Sequence, residues 1–252
     1  MVRKPAKQLQ RYMFDNPNIL EIGIDEAGRG PLFGRVYAAA VILPKDDDAF
    51  PHELMKDSKK FTNRAKLNEV AQIIMDKCIA YSVNYAENTE IDKLNPLKAT
   101  MKIMNDCVSE ILDNFEANND DNHDNKNDVN DENSNQSHYL LVDGSYFRPR
   151  MRMSKDGMKP VNIPYTCVTS GDDTFTSIAA ASILAKYHRD NYIDAICDEN
   201  EGLDELFDLR KNKGYGTAKH MSAIKKYGIT KWHRKSFGIC KNANVIEIEV
   251  SE

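Results

Sequence analysis

Asp25, Glu26, Asp143 and Asp172 are the residues of this 252-residue chain best placed to do chemistry. Asp25-Glu26 follows the apolar, β-branched run 19–24 and leads into Gly28-Arg29-Gly30-Pro31. Asp143 follows the short apolar run 139–142 and is released by Gly144; Asp172 stands in Gly171-Asp172, just after the run 163–169. Carboxylate oxygens are hard ligands, so carboxylates held at strand ends suit a divalent cation such as Mg2+ or Mn2+. Neighbouring residues on a strand point to opposite faces. An ion at Asp25-Glu26 would therefore take the side chain of one and the backbone carbonyl of the other. An isolated Asp-Glu pair is ordinarily a solvated turn. Directly against buried β-structure and ahead of Gly-Arg-Gly, it reads as a site.

Such carboxylates need a rigid scaffold, and the apolar pattern supplies one. Runs 19–24 and 36–43 predict two strands joined by a tight Gly- and Pro-rich connection, the second so continuously apolar that it is buried on both faces. Leu67, Val70, Ile73, Ile74 and Cys78 recur at helical spacing and predict a helix over about 63–78. Residues 80–85 predict a third strand completing an antiparallel meander, 89–94 a short turn or helix, and Pro96 opens a helix to about Phe115. Residues 117–138 are mostly Asn and Asp and cannot bury enough surface to offset their ordering entropy, which predicts a disordered acidic insertion serving as a spacer. Runs 139–142 and 163–169 predict two more strands, with a basic surface loop at 148–159 between them. The small residues of 177–190 predict a helix able to approach a sheet closely; Lys186 and Arg189 are its candidates for phosphate contact and Asp190 reads as an ion-pair partner. Tyr215 stands between Gly214 and Gly216 in a polar, partly helical region, where its ring is available to stack on a base or sugar. Residues 1–11 read as a frayed basic tail and 245–250 as a terminal strand or tail.

Composition narrows the function classes. Charged residues at 29% and hydrophobic residues at 41% are ordinary for a soluble globular protein. No run is long enough to span a bilayer and no signal-peptide core is present, so a soluble, cytoplasmic protein is expected. The five cysteines are scattered, without Cys-x-x-Cys or Cys/His spacing, which speaks against zinc and disulfides and for a reducing compartment. The net charge of −5 conceals an uneven distribution: 118–138 holds six acids and one lysine, whereas 211–241 holds nine Lys or Arg and no acid. The second stretch is a cationic face of the kind a polyanion needs.

Several stretches in order resemble type 2 ribonuclease H in its single-chain form, ribonuclease HII. They are 19–43, Asp57-Ser58-Lys59-Lys60, 90–95, Val142-Asp143-Gly144, Gly171-Asp172, 177–190, 213–217 with His220, and 233–237, so the resemblance covers about 19–238. It implies an α/β, ribonuclease H-like fold: a five-stranded mixed sheet with helices on both faces, plus a small helical C-terminal region. The implied organisation is an arm at 1–18, a catalytic domain at 19–200 and a basic helical region at 201–252. It further implies a monomeric, metal-dependent endonuclease whose substrates are RNA–DNA hybrids and single ribonucleotides in duplex DNA, cut on the 5′ side of the ribonucleotide to leave 3′-hydroxyl and 5′-phosphate ends. Asp25, Glu26, Asp143 and Asp172 would be the catalytic ligands of two divalent cations. Gly28, Arg29, Gly30 and Tyr215 would read the 2′-hydroxyl, and Lys59, Lys60 and Lys186 would contact phosphate. Arg35 and Ser170 depart from the family, where proline and lysine are usual. Two other readings share part of this pattern: a DNA-specific nuclease of the same fold would lack the 2′-hydroxyl reader, and a non-catalytic nucleic-acid binder would not need the carboxylates.

Overall fold

The computed structural model describes residues 8–46, 48–121, 137–153 and 159–247. Strands β1 (Ile19–Ala27), β2 (Val36–Ile42) and β3 (Ala80–Ala86) form the antiparallel meander, with helix α1 (Arg64–Lys77) between β2 and β3. Helices α2 (Asn88–Leu94) and α3 (Pro96–Asp121) lead to β4 (Ser137–Asp143), which pairs parallel to β1. A two-residue ribbon, β5 (Arg152–Met153) and β6 (Pro160–Val161), precedes β7 (Tyr165–Val168), parallel to β4. The main sheet thus runs β3-β2-β1-β4-β7, five-stranded and mixed as expected. Helix α4 (Thr176–Glu199) follows, then α5 (Leu203–Phe207), α6 (Leu209–Asn212) and α7 (Ala218–Tyr227).

Strand alternation divides the core into two layers. Val36, Ala38, Ala40 and Ile42 of β2, with Ile22 and Ile24 of β1, pack on Ile103, Cys107 and Ile111 of α3. Tyr37, Ala39 and Val41 face the other way, onto Leu67, Val70 and Ile74 of α1 and the Ala179–Ala180 and Ile183–Leu184 pairs of α4. A third apolar cluster joins Phe33, Ile193 and Cys197 to Leu203, Phe207, Ile224 and Ile229, so the C-terminal helices pack on the far end of α4. The small residues of α4 let its backbone lie against β1: a methyl on Gly23 would stand 2.2 Å from the Ser177 carbonyl carbon.

Two local expectations change, and a third is only partly described. Helix α3 runs to Asp121 and β4 starts at Ser137, so both ends of the stretch read as an insertion are regular; 122–136 lie outside the described residues. The β4 end is ordered by pairing, with Ser137 and His138 opposite Ile19 and Leu20. Residues 9–14 are tied down, not frayed: Gln10 bridges Phe175, and the buried Glu21 carboxylate accepts the Met13 and Phe14 N–H groups. Of 245–250, Val245 forms a single parallel bridge with Ile229, while 248–250 lie outside the described residues.

Candidate active site

Asp25 belongs to the face of β1 that meets α4, because Ile22 and Ile24 are committed to the α3 layer. The Ser182 side chain of α4 lies close enough to Asp25 to oppose the rise of its carboxyl, and Ser182 is itself 3.0 Å from the Ser58 hydroxyl. Asp143 follows Val142, the partner of Ile24, and so ends the neighbouring strand beside Asp25. Its Oδ1 accepts the Gly171 N–H at 2.7 Å, which ties β4 to the one-turn helix Gly171–Asp173 that carries Asp172. Glu26 is paired with Arg29 at 3.1 Å, and Asp172 has the Lys59 ammonium at 3.8 Å.

These four carboxylates are electrostatically linked. Burial, then the charges of Glu26 and Asp143, hold the Asp25 carboxyl well above the usual aspartate range. Burial also raises Glu26; Arg29 opposes that shift and Asp143 adds to it. Asp172 is raised by burial and then by Asp143. Asp143 is therefore a charge that all three others feel, and Asp25, Glu26 and Asp172 resist ionisation until a cation compensates them. Among the described residues no three His, Cys, Asp or Glu side chains already stand together as a metal site. Each carboxylate is instead turned to a local partner: the Glu26 N–H, Arg29, the Gly171 N–H or Lys59. An all-oxygen donor set under mutual repulsion fits hard divalent cations.

A cleft of about 790 Å³ extends from this cluster. Asp25, Glu26 and Asp143 line one part of it; Gly28, Arg29, Gly30, Lys59, Lys186 and Tyr215 line the rest. Tyr215 is half exposed, and a methyl on Gly30 would come within 3.8 Å of its ring. Lys60 does not line the cleft; its ammonium is held by Asp173 at 2.5 Å. Asp172 is not a lining residue either and reaches the cluster through Gly171 and Asp143. Lys186 pairs with Asp190 at 2.7 Å, the ion-pair role expected for Asp190.

Arg189 has a structural part that its sequence position did not suggest. It is buried, donates to the Lys213 carbonyl at 2.7 Å, and underlies Gly28 so closely that a methyl there would meet its Nε at 2.0 Å. Gly28, at φ +90°, is required by both its backbone and this contact. Arg189 thus supports the turn from within, while it also lines the cleft. Arg35, the departure from proline, is held by Glu87 at 2.6 Å and stacks over Tyr85 and Tyr192 at 3.9 and 4.4 Å. Sequence reasoning also passed over Ser58, Ser182 and Lys213. Lys213 lines the cleft, pairs with Asp194 at 2.8 Å, and is pushed down to about 8 by burial. A serine in a small-residue helix and a lysine among many carry no local signal of such roles.

Comparison with known proteins agrees with this geometry. The family model described as Ribonuclease HII matches residues 22–240. Ribonuclease HII of Bacteroides thetaiotaomicron is 38% identical over 224 residues, covering 89% of this chain and 92% of its own length. That of Phocaeicola vulgatus is 35% identical over 233 residues, covering 92% and 96%. Among solved structures, ribonuclease H2 of Pyrococcus horikoshii superposes with a TM-score of 0.58 at 19% identity, over 88% of this chain and 95% of the other. Bst-RNase HIII in complex with Mn2+ gives 0.55 at 17% identity, over 89% and 68%. The structural likenesses bear on the fold, and the family match and close relatives on the chemistry: this chain belongs to the ribonuclease HII family, metal-dependent endoribonucleases of the ribonuclease H type that act on RNA–DNA hybrids.

Proposed function

We propose that this enzyme cuts on the 5′ side of a ribonucleotide, in hybrids and at single ribonucleotides within duplex DNA, leaving 3′-hydroxyl and 5′-phosphate ends. Asp25, Glu26, Asp143 and Asp172 would hold two Mg2+ or Mn2+ ions, which when bound supply an activated water and stabilise the leaving oxygen. The chain's own residues do the rest. Asp143, bonded to the Gly171 N–H, keeps the β4 carboxylate beside that of β1. The backbone of Gly28, Arg29 and Gly30 and the ring of Tyr215 present donors and a stacking surface to the sugar that carries a 2′-hydroxyl. Lys59 and Lys186, with Lys213 as a further cation, counter phosphate charge along the cleft. We also take the enzyme to act as a cytoplasmic monomer, in keeping with five free cysteines.

The observation that carries this reading is the shared cleft: Gly30 and Tyr215 face each other in the same cavity that Asp25 and Asp143 line. The test is a duplex with one ribonucleotide beside its all-DNA counterpart, each with and without Mg2+, with the ends of any product identified. Metal-dependent cleavage of the first duplex alone, 5′ of the ribonucleotide, is expected. Cleavage of all-DNA duplex would point to a DNA nuclease, and binding without cleavage to a non-catalytic binder.

A further inference from the structure

Residues 232–234 run antiparallel to 32–34, the strand-like link at the back of the Gly28–Arg35 turn. Phe33 bridges His233, the Gly34 N–H donates to Trp232 O at 2.9 Å, and the Arg234 N–H donates to Leu32 O at 2.8 Å. The segment is anchored from α2: Asn88 donates to the Lys231 and His233 carbonyls, and Asp92 accepts the Lys235 and Ser236 N–H groups. His233 and Arg234 are both fully buried.

Among the described residues Arg234 forms no ion pair with a carboxylate, although the Asp92 charge lies within electrostatic reach. Its guanidinium donates to four carbonyls, Gly28 at 2.6 Å, Arg29 and Gly34 at 2.9 Å and Arg35 at 3.1 Å. Burying a cation without a direct ion pair is expensive, and burial, then the Arg189 charge, hold this guanidinium down at about 9. What the arrangement fixes is the turn's orientation. In a trans peptide the N–H points opposite to the preceding carbonyl. Because the Gly28 and Arg29 carbonyls turn to Arg234, the Arg29 and Gly30 N–H groups point away from it.

His233 reaches the other wall. The Thr230 N–H donates to its Nδ1 at 3.0 Å, so the ring proton sits on Nε2. That Nε2–H faces His220 Nε2 at 3.1 Å, and His220 Nδ1–H donates to Tyr215 O at 2.9 Å. Each donor finds an acceptor only if both rings are neutral, and burial enforces this, pushing His233 down to about 3.

We propose that the adjacent pair His233 and Arg234 is a positioning clasp for ribonucleotide recognition: Arg234 orients the Gly28–Arg35 turn, and His233, relayed by His220, sets the backbone of Tyr215. This rests on the reading of Gly28–Gly30 and Tyr215 as ribonucleotide contacts, and the test separates the two. Single-turnover cleavage of a duplex with one ribonucleotide is measured for H220F, Y215A and the double variant, with folding checked by thermal melting. H220F should lose between tenfold and about 100-fold, and lose nothing further in the Y215A background. An equal loss in both backgrounds, or none in either, overturns the relay. Undiminished cleavage by Y215A sinks the reading of Tyr215 itself. If H220F does not fold, H233Q, which keeps a donor toward His220, should cleave as wild type while H233M does not; equal behaviour of these two overturns the relay. For the other limb, R234K should cleave at least about tenfold more slowly with unchanged affinity for all-DNA duplex. A parallel fall in cleavage and affinity would reduce Arg234 to a structural residue.

Discussion

The charge of Asp143 reaches furthest across the site, since it raises Asp25, Glu26 and Asp172 together. Asp143→Asn keeps the oxygen that accepts the Gly171 N–H but removes that charge. Cleavage should fall by more than about 100-fold, beyond the usual cost of losing a supporting group around a metal, while duplex affinity is retained. Retention of a tenth of wild-type turnover at saturating Mg2+ would refute its assignment. Asp25 supports a second prediction, on stability. Its carboxyl is raised in the folded chain, so folding loses free energy as pH rises from the ordinary aspartate value of about 3.9 toward the folded value, and the penalty is complete above it. In EDTA, Asp25→Asn should therefore melt a few degrees above wild type at neutral pH, with the advantage shrinking toward pH 4. A variant less stable than wild type at both pH values would contradict the burial argument.

At the scale of elements, the contact between β1 and α4 fixes the site, because it brings Ser182 onto Asp25. Gly23 is the point of closest approach, and a methyl there meets Ser177 backbone atoms, not a movable side chain. Gly23→Ala should cost about 1–3 kcal/mol by overpacking, a fall of roughly 2–4 °C for each kcal/mol in a chain of this size. It should also slow cleavage, since α4 must shift away from Asp25. A Tm within a degree of wild type would mean that α4 accommodates the methyl freely.

For the molecule as a whole, charge is distributed so that the acids of 118–138 set the net value of −5 while 211–241 stays free of acids. Converting Asp124, Asp128, Asp131 and Glu132 to amides removes four negative charges. Duplex affinity should rise modestly at low salt, and the gain should fade as ionic strength approaches 0.15 M, where the screening length is about 8 Å. Binding titrations across salt test this. A gain that survives high salt would require direct contact between the acidic stretch and the duplex.

The sequence by itself determined the scaffold and the reacting groups. Strand and helix periods follow from local alternation of apolar residues, and Asp25, Glu26, Asp143 and Gly28–Gly30 announce themselves by standing at strand ends among glycines. Small residues likewise announced that α4 would lie close to the sheet. Tertiary structure alone decided which groups support the site. Arg189, in a small-residue helix, and Arg234, in a basic stretch, look like solvent-facing cations, yet both are buried beneath the turn they hold. His220 and His233 are 13 residues apart and meet through paired nitrogens that no spacing rule anticipates. The physical reason is range: periodicity reports which face of its own element a residue occupies, whereas a buried polar group is defined by the partners that satisfy it, and here those partners lie up to 206 residues away.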